Sequence, residues 1–167
     1  IRTGSFDSKF GFGIEYLNTL FNRISNTKHL KLKGLHAHIG SQIFELDPHK
    51  DLGEIMVKVI LDAKKFGHNI EELNVGGGLG IRYTESDDPP SIDEWVKTIS
   101  SSVVEACKKN NLDFPTLMCE PGRSIVSTAG ITIYKIGSFK EIPGIRTYLS
   151  VDGGMSDNPV SYTHLTL

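Results

Sequence analysis

The chain is poor in cysteine and in net charge, and it has no long apolar run. Two cysteines, Cys107 and Cys119, occur in 167 residues. They are too few and too far apart for a disulfide framework or a paired-cysteine zinc module. So little cysteine suits a reducing compartment, and a cytoplasmic location is the expectation. Lysine and arginine total 18 against 20 aspartates and glutamates, a formal charge of −2. No basic surface therefore argues for a nucleic-acid partner. No apolar stretch approaches the roughly 18–20 residues of a membrane span, so no membrane partner is expected. The opening "IRTGSFDSKFGFG" carries neither an initiator Met nor a signal-peptide pattern, and the expectation is a fragment with part of its fold upstream. Internal repeats and low-complexity tracts are also missing. What is present is ordinary for a soluble globular domain: 38% hydrophobic and 23% charged residues, over a length that suits about one domain.

Periodicity divides the chain into alternating elements. Ile14, Leu17, Leu20, Phe21 and Ile24 recur at helical spacing and predict an amphipathic helix over about 10–26. "LKLKGLHAHI" predicts a strand. Asp47 is the expected N-cap of a second helix with Pro48 at its first position, and Gly67 its expected end. "ELNVGGG" is the next predicted strand. Ser91-Ile92-Asp93-Glu94 forms a capping box ahead of a third helix, whose apolar face carries Trp95, Ile99, Val103 and Ala106. "PTLMCEPGR" is the third strand. Strands alternating with helices predict parallel pairing through crossover connections. Beyond Arg123, "SIVSTAGITIYKIGSFKEIPGIRTYLSVDGG" is rich in β-branched residues without a helical stripe, and predicts strands of a second, β-rich region.

Each of the three predicted parallel strands ends in a polar or glycine-rich phrase: "HIGSQ", "GGGLG" and "EPGR". Such phrases at the C-terminal ends of parallel strands read as a site, on a barrel or on a doubly wound sheet. His36 and His38 should share one face of their strand. A metal pair is one reading, but His49, His68 and His164 do not fall at strand ends to complete it. His36 is expected to be a hydrogen-bonded core residue, and His38, next to Gly40 and Ser41, to lie in the site. Gly76, Gly77 and Gly78 allow close approach of backbone N–H groups to an anion, or form a plain turn. Their spacing is not a dinucleotide fingerprint. Glu120, Pro121, Gly122 and Arg123 offer a carboxylate, a turn and a bidentate anion donor; Glu120 and Arg123 could instead pair with each other. Together these groups ask for a ligand with a phosphate, a flat ring and a ring atom that needs an anionic partner. Pyridoxal 5'-phosphate has all three.

In order, "SKFGFG", "GLHAHIGSQ", "NVGGGLGIRY", "CEPGR" and "VDGGMSDNP" resemble the diaminopimelate decarboxylases, fold-type III pyridoxal-phosphate enzymes of the alanine racemase-like barrel class. The resemblance implies an α/β fold: the last three strand-helix units of a partial (β/α)8 TIM-type barrel over 1–123, then the start of a β-rich domain over 124–159. It implies decarboxylation of meso-2,6-diaminopimelate to L-lysine, by a parent enzyme that is a homodimer acting on a small amino-acid substrate. By resemblance His38 stacks on the pyridine ring, Glu120 pairs with its nitrogen, and Ser41, Gly76, Gly77, Gly78, Pro121, Gly122 and Arg123 hold the cofactor, with Arg123 also touching substrate. No metal site is implied.

The family's Schiff-base lysine lies in an upstream phrase absent from this chain, and Lys9 is not that residue. The fragment alone is accordingly expected to be inactive. After "SDNP" the sequence departs from the family pattern, and 160–167 is expected to be a non-native tail in which Tyr162 is not the substrate tyrosine. A related decarboxylase of arginine, ornithine or carboxynorspermidine, and a cofactor-free regulatory homologue, remain alternatives.

Overall fold

A computed structural model of the chain describes residues 9–154, 156 and 157. The expected non-native tail at 160–167, and Tyr162 within it, lie outside the described residues. The described residues form two compact units that divide between Ser127 and Thr128.

The first unit is a mixed α/β layer structure. After a 3₁₀ turn at Ile14–Tyr16 comes α1, Leu17–Ser25, then β1, Gly34–His36, α2, Asp47–Lys65, β2, Glu72–Asn74, α3, Ile92–Lys109, and β3, Thr116–Met118. The strands form one parallel sheet in the order β1-β2-β3. Gly34, Leu35 and His36 sit opposite Glu72, Leu73 and Asn74. Those three in turn sit opposite Thr116, Leu117 and Met118. The regular ladder is short, but single bonds extend it. The Ala37 amide donates to the Asn74 oxygen, the Val75 amide to the Met118 oxygen, and the Glu120 amide to the Gly76 oxygen at 2.7 Å.

Alternation along the strands sorts their side chains onto two faces. Leu73 and Val75 belong to the core, with Leu35 and Ala37 partly buried against it. That core is completed by Leu52, Met56, Val57, Ile60 and Ala63 of α2, and by Trp95, Ile99, Val103, Ala106 and Cys107 of α3. Both crossover helices thus cover the same face, where α2 and α3 also pack on each other. Gly53 of α2 lets them approach: a Cβ there would stand 2.5 Å from the Ser102 hydroxyl, which donates to the Lys50 carbonyl at 2.6 Å. The opposite face presents His36, Asn74 and Met118 side by side.

Several local expectations change. Helix α1 begins at Leu17 rather than near residue 10, because Gly11 takes φ +70° and the chain enters through a 3₁₀ turn. The cap of α2 is Leu46, which makes no side-chain cap bond. Asp47 lies inside the first turn, where its charge still meets the positive helix end, and Pro48 follows it. Gly67 stands just past α2 with φ +83°, the left-handed exit that glycine allows. Ser91 and Glu94 form both halves of their capping box. Burial pushes the thiol of Cys107 upward in pKa.

Arg123–Val126 forms a short helix, α4, and Ser127–Ala129 a 3₁₀ turn, where β-branched composition predicted a strand. The chain has just turned at Pro121-Gly122, and the Ile125 amide donates to the Gly122 carbonyl. Local closure there outweighs β propensity. The second unit holds an antiparallel hairpin of β4, Ile136–Ile142, and β5, Arg146–Val151, with Gly144 in its turn at φ +74°.

Candidate functional site

The phrases after β1, β2 and β3 converge at one end of the parallel sheet. The first two are tied to each other. The Ile43 amide donates to the Gly78 oxygen and the Gly80 amide to the Ile43 oxygen, both at 2.9 Å. Gln42, at φ 60°, donates from its side-chain amide to the Ile81 carbonyl at 2.6 Å, and its oxygen accepts the Ile81 amide at 3.2 Å. Gln42 therefore fixes the turn that carries Ser41, a role its place in "HIGSQ" did not reveal.

Glycine is needed where these phrases pass each other. A Cβ on Gly77 would stand 2.2 Å from the Glu120 carbonyl oxygen. A Cβ on Gly78, at φ +101°, would stand 2.5 Å from the Gly40 carbonyl oxygen. Both obstacles are backbone and cannot swing aside. Two of the glycine amides are engaged within the protein: Gly76 donates to the Asn74 side-chain oxygen at 2.9 Å, and Gly77 to His38 Nδ1 at 3.3 Å. Because Nδ1 accepts, the neutral His38 ring carries its proton on Nε2.

A cavity of about 270 Å³ opens at this end, lined by His38, Ser41, Gly77, Gly78, Glu120, Pro121, Gly122 and Arg123, with Trp95 and Cys119 also on its wall. A second, more open cleft shares His38 and Glu120 and adds His36, Phe10 and Phe12. The structure thus brings eight of the nine residues singled out from sequence to one cavity wall; Gly76 stands just behind it, bonded to Asn74.

Glu120 and Arg123 do not pair with each other. Arg123 Nη1 donates to the Tyr83 hydroxyl at 3.0 Å and Nη2 contacts the Ser41 hydroxyl, with the guanidinium 5.9 Å from the Tyr83 ring centroid. Among the described residues the guanidinium meets no carboxylate. Glu120 Oε1 instead accepts from the Asn74 side-chain amide at 3.0 Å and lies 3.2 Å from His36 Nε2. A cation held by neutral hydroxyls can donate charge-assisted hydrogen bonds to an anion. A carboxylate on the lining of the same cavity, turned to other partners, suits a cationic N–H.

His36 is not a core residue. Its side chain is 52% exposed and lies against Glu120, because positions 36, 74, 118 and 120 fall on the sheet face away from the helices. Asn74 and Tyr83 were also unmarked by sequence reasoning; the only signal was their place beside the glycine phrase. The buried histidine is His49 of α2, 1% exposed, edge-on to Trp95 with ring centroids 5.6 Å apart. Burial pushes its pKa below the ordinary value, and proximity to His38 adds to the effect.

This donor set fits pyridoxal phosphate. The guanidinium and the Ser41 hydroxyl suit a phosphate, Glu120 suits a ring nitrogen, and His38 lines the same cavity with a flat ring. The cavity also accommodates no further side chain at Gly77 or Gly78, where the cradle is backbone on backbone.

Comparison with known proteins agrees. The chain is similar to the diaminopimelate decarboxylase of Synechocystis sp., with 54% identity over 164 residues, 98% of this chain and 35% of that protein. It is 43% identical to the Staphylococcus aureus diaminopimelate decarboxylase over 95% of this chain and 37% of that one. The crystal structure of diaminopimelate decarboxylase from M. jannaschii in co-complex with L-lysine superposes with a TM-score of 0.78 at 30% identity, over 95% of this chain and 37% of that one. The chain thus spans little more than a third of the length of these relatives. Residues 1–127 match the family described as pyridoxal-dependent decarboxylase, pyridoxal binding domain. The cavity at the strand ends lies wholly within that match, and the chain belongs to the pyridoxal-dependent decarboxylase family.

Proposed function

We propose that this segment forms the phosphate and ring-nitrogen end of the cofactor site in a decarboxylase that converts meso-2,6-diaminopimelate to L-lysine. The observation that carries the reading is the separation of Arg123 from Glu120. Three residues apart in sequence, they turn to different partners and stand as a cation and an anion on one cavity wall. The relatives' names supply the substrate class, and the L-lysine in the M. jannaschii crystal structure is the product of that reaction.

Bound pyridoxal phosphate supplies an electron sink for the pair left by departing CO2. The chain's own residues prepare that chemistry. Arg123 and Ser41 grip the phosphate, with the backbone at Gly76, Gly77, Gly78, Pro121 and Gly122 shaping its cradle. Glu120 keeps a proton on the ring nitrogen by offering it an anionic partner. His38 offers a flat ring for stacking, and Arg123 also contacts substrate. We assign 1–123 to the last three strand-helix units of a (β/α)8 barrel and 124–159 to the start of a β-rich domain. Supporting the barrel, both crossover helices lie on one face of the sheet, whereas a doubly wound sheet is covered on both.

The test uses full-length enzyme carrying this segment. Cofactor titration by absorbance is expected to show Arg123→Ala weakened at least tenfold, the scale of about 1.5–3 kcal/mol per charge-assisted hydrogen bond. His38→Ala should keep most of its affinity while its absorption band changes and turnover slows. Lysine should form from meso-2,6-diaminopimelate, and arginine or ornithine substrates should not be decarboxylated. Unchanged affinity in Arg123→Ala, or a stoichiometric metal lost in His38→Ala, would overturn the site assignment.

A further inference from the structure

The surroundings of Glu120 contain an arrangement that the proposed roles do not use. Two side chains from different strands address the same oxygen of Glu120. Asn74 Nδ2 donates to Oε1 at 3.0 Å, and His36 Nε2 lies 3.2 Å from that atom. Oε2 has no hydrogen-bond or ion-pair partner among the described residues. An ionised carboxylate is an acceptor only, so a lone pair on Nε2 would repel it; the contact is favourable when Nε2 carries its proton. The orientation of Asn74 is fixed independently. Its oxygen accepts the Gly76 amide at 2.9 Å, which leaves the NH₂ to face Glu120.

The register explains the convergence. His36 is opposite Asn74 and Asn74 opposite Met118. Glu120, two residues beyond Met118, returns to the same face. Its amide bond to the Gly76 oxygen seats it one row above Asn74. The sheet therefore presents a donor on each of two neighbouring strands to the same carboxylate from below.

We propose that His36 and Asn74 are positioning residues that hold Oε1 of Glu120, so that Oε2 is directed at the N–H of a bound cationic heteroaromatic ring. The inference rests on the reading of Glu120 as the ring-nitrogen partner. A carboxylate with both oxygens free would rotate among several orientations, and ordering it on binding would cost affinity and alignment. Here one oxygen is already held. Through Asn74 the held carboxylate is also joined to the glycine phrase, so cradle and ring partner move together.

The experiment uses full-length enzyme carrying this segment, loaded with pyridoxal phosphate labelled with ¹⁵N in the ring. The ¹⁵N chemical shift at fixed pH reports how far the ring nitrogen is protonated, independently of turnover. His36→Leu removes one donor, His36→Gln restores an N–H donor, Asn74→Ala removes the other donor, and Glu120→Gln removes the charge. In Glu120→Gln the shift should move toward that of an unprotonated nitrogen. In His36→Leu it should move the same way by less, with kcat down about tenfold, the scale of one hydrogen bond to a charged group. The cofactor Kd should stay within about threefold, because the phosphate grip is elsewhere. His36→Gln should recover most of both readouts. A shift unchanged in Glu120→Gln overturns the reading of Glu120 itself. A shift that moves in Glu120→Gln while His36→Leu matches wild type in shift and kcat overturns this inference and leaves that reading standing. A Kd that rises in step with the loss of kcat, without rescue by glutamine, marks a merely structural role and also overturns it. Should His36→Leu fail to fold, Asn74→Ala carries the comparison through the ¹⁵N shift alone, since it also frees the Gly76 amide and can change Kd; a wild-type shift there overturns the inference.

Discussion

Gly77→Ala is the smallest change that tests whether the strand ends meet as described. The added Cβ would stand 2.2 Å from the Glu120 carbonyl oxygen and 3.1 Å from its carbonyl carbon. Carbon and oxygen make ordinary contact at roughly 3.3–3.6 Å, so the two strand ends must part by about 1 Å. The oxygen cannot rotate out of the way, since it moves only with its peptide. That peptide follows the one whose amide is bonded to Gly76 at 2.7 Å, so any retreat carries the Glu120 carboxylate and the turn leading to Arg123 with it. Overpacking of this kind costs about 1–3 kcal/mol in stability. A misplacement of about 1 Å at a reacting centre costs on the order of 10²-fold in rate. In full-length enzyme, Gly77→Ala is expected to weaken pyridoxal phosphate at least about tenfold and to reduce turnover by about that 10²-fold factor. Gly67→Ala is the control. That glycine has φ +83°, and a Cβ added to it would meet no atom within 4 Å. Alanine there costs roughly 1–2 kcal/mol of left-handed strain and touches nothing near the site. Cofactor titration by absorbance and urea midpoints on both variants separate a damaged site from a weakened fold. Wild-type cofactor affinity in Gly77→Ala, within about threefold, would refute the close crossing of these backbones.

Three further outcomes are expected. His49 is buried, and neither of its ring nitrogens has a hydrogen-bond partner among the described residues. Its pKa is held below 6.5, first by burial and then by His38. Its contribution is therefore full above the unfolded value and lost as pH falls through the depressed folded value. His49→Phe should flatten the fall of the urea midpoint as pH drops below the ordinary histidine value, and an unchanged slope would refute the assignment. Ser91→Ala removes half of the capping box and should cost about 0.5–2 kcal/mol. The Glu94 carboxyl, held low by the backbone amide and hydroxyl of Ser91, should then titrate part-way back toward its ordinary range by NMR, and no movement would argue against the cap. Cys119 is exposed on the cavity wall and Cys107 is buried. A maleimide should label Cys119 in the native protein and Cys107 only after unfolding, with bound cofactor slowing the first reaction; native labelling of Cys107 would contradict its burial.

Much of the first unit is legible without coordinates. The apolar stripes of α2 and α3, the left-handed exit at Gly67 and the Ser91-Glu94 box are local signals carried by neighbours in sequence. So are the polar phrases that end each parallel strand, and with them the side chains of Ser41 and Arg123 that meet there. The short helix α4 was not legible, because its β-branched residues fold against their own propensity after the Pro121-Gly122 turn. Asp47 likewise has the chemistry of a cap but lies one position inside the helix.

What sequence alone determined is the alternation of strands and helices and the supply of a carboxylate, a guanidinium, a hydroxyl and two histidines at their ends. Only the tertiary structure decided who meets whom. Side-chain period tells which face of a strand a residue takes, but not which neighbour the register sets beside it. His36 could therefore be assigned a face and still be misplaced in the core, since nothing local says that the helices cover the other side. Glu120 and Arg123 could be read as a pair from their spacing. The structure gives Glu120 to Asn74 and His36, and Arg123 to Ser41 and Tyr83. The physical reason is the parallel register: it brings residues distant in the chain within hydrogen-bonding reach, while the turn at Pro121-Gly122 carries near neighbours apart.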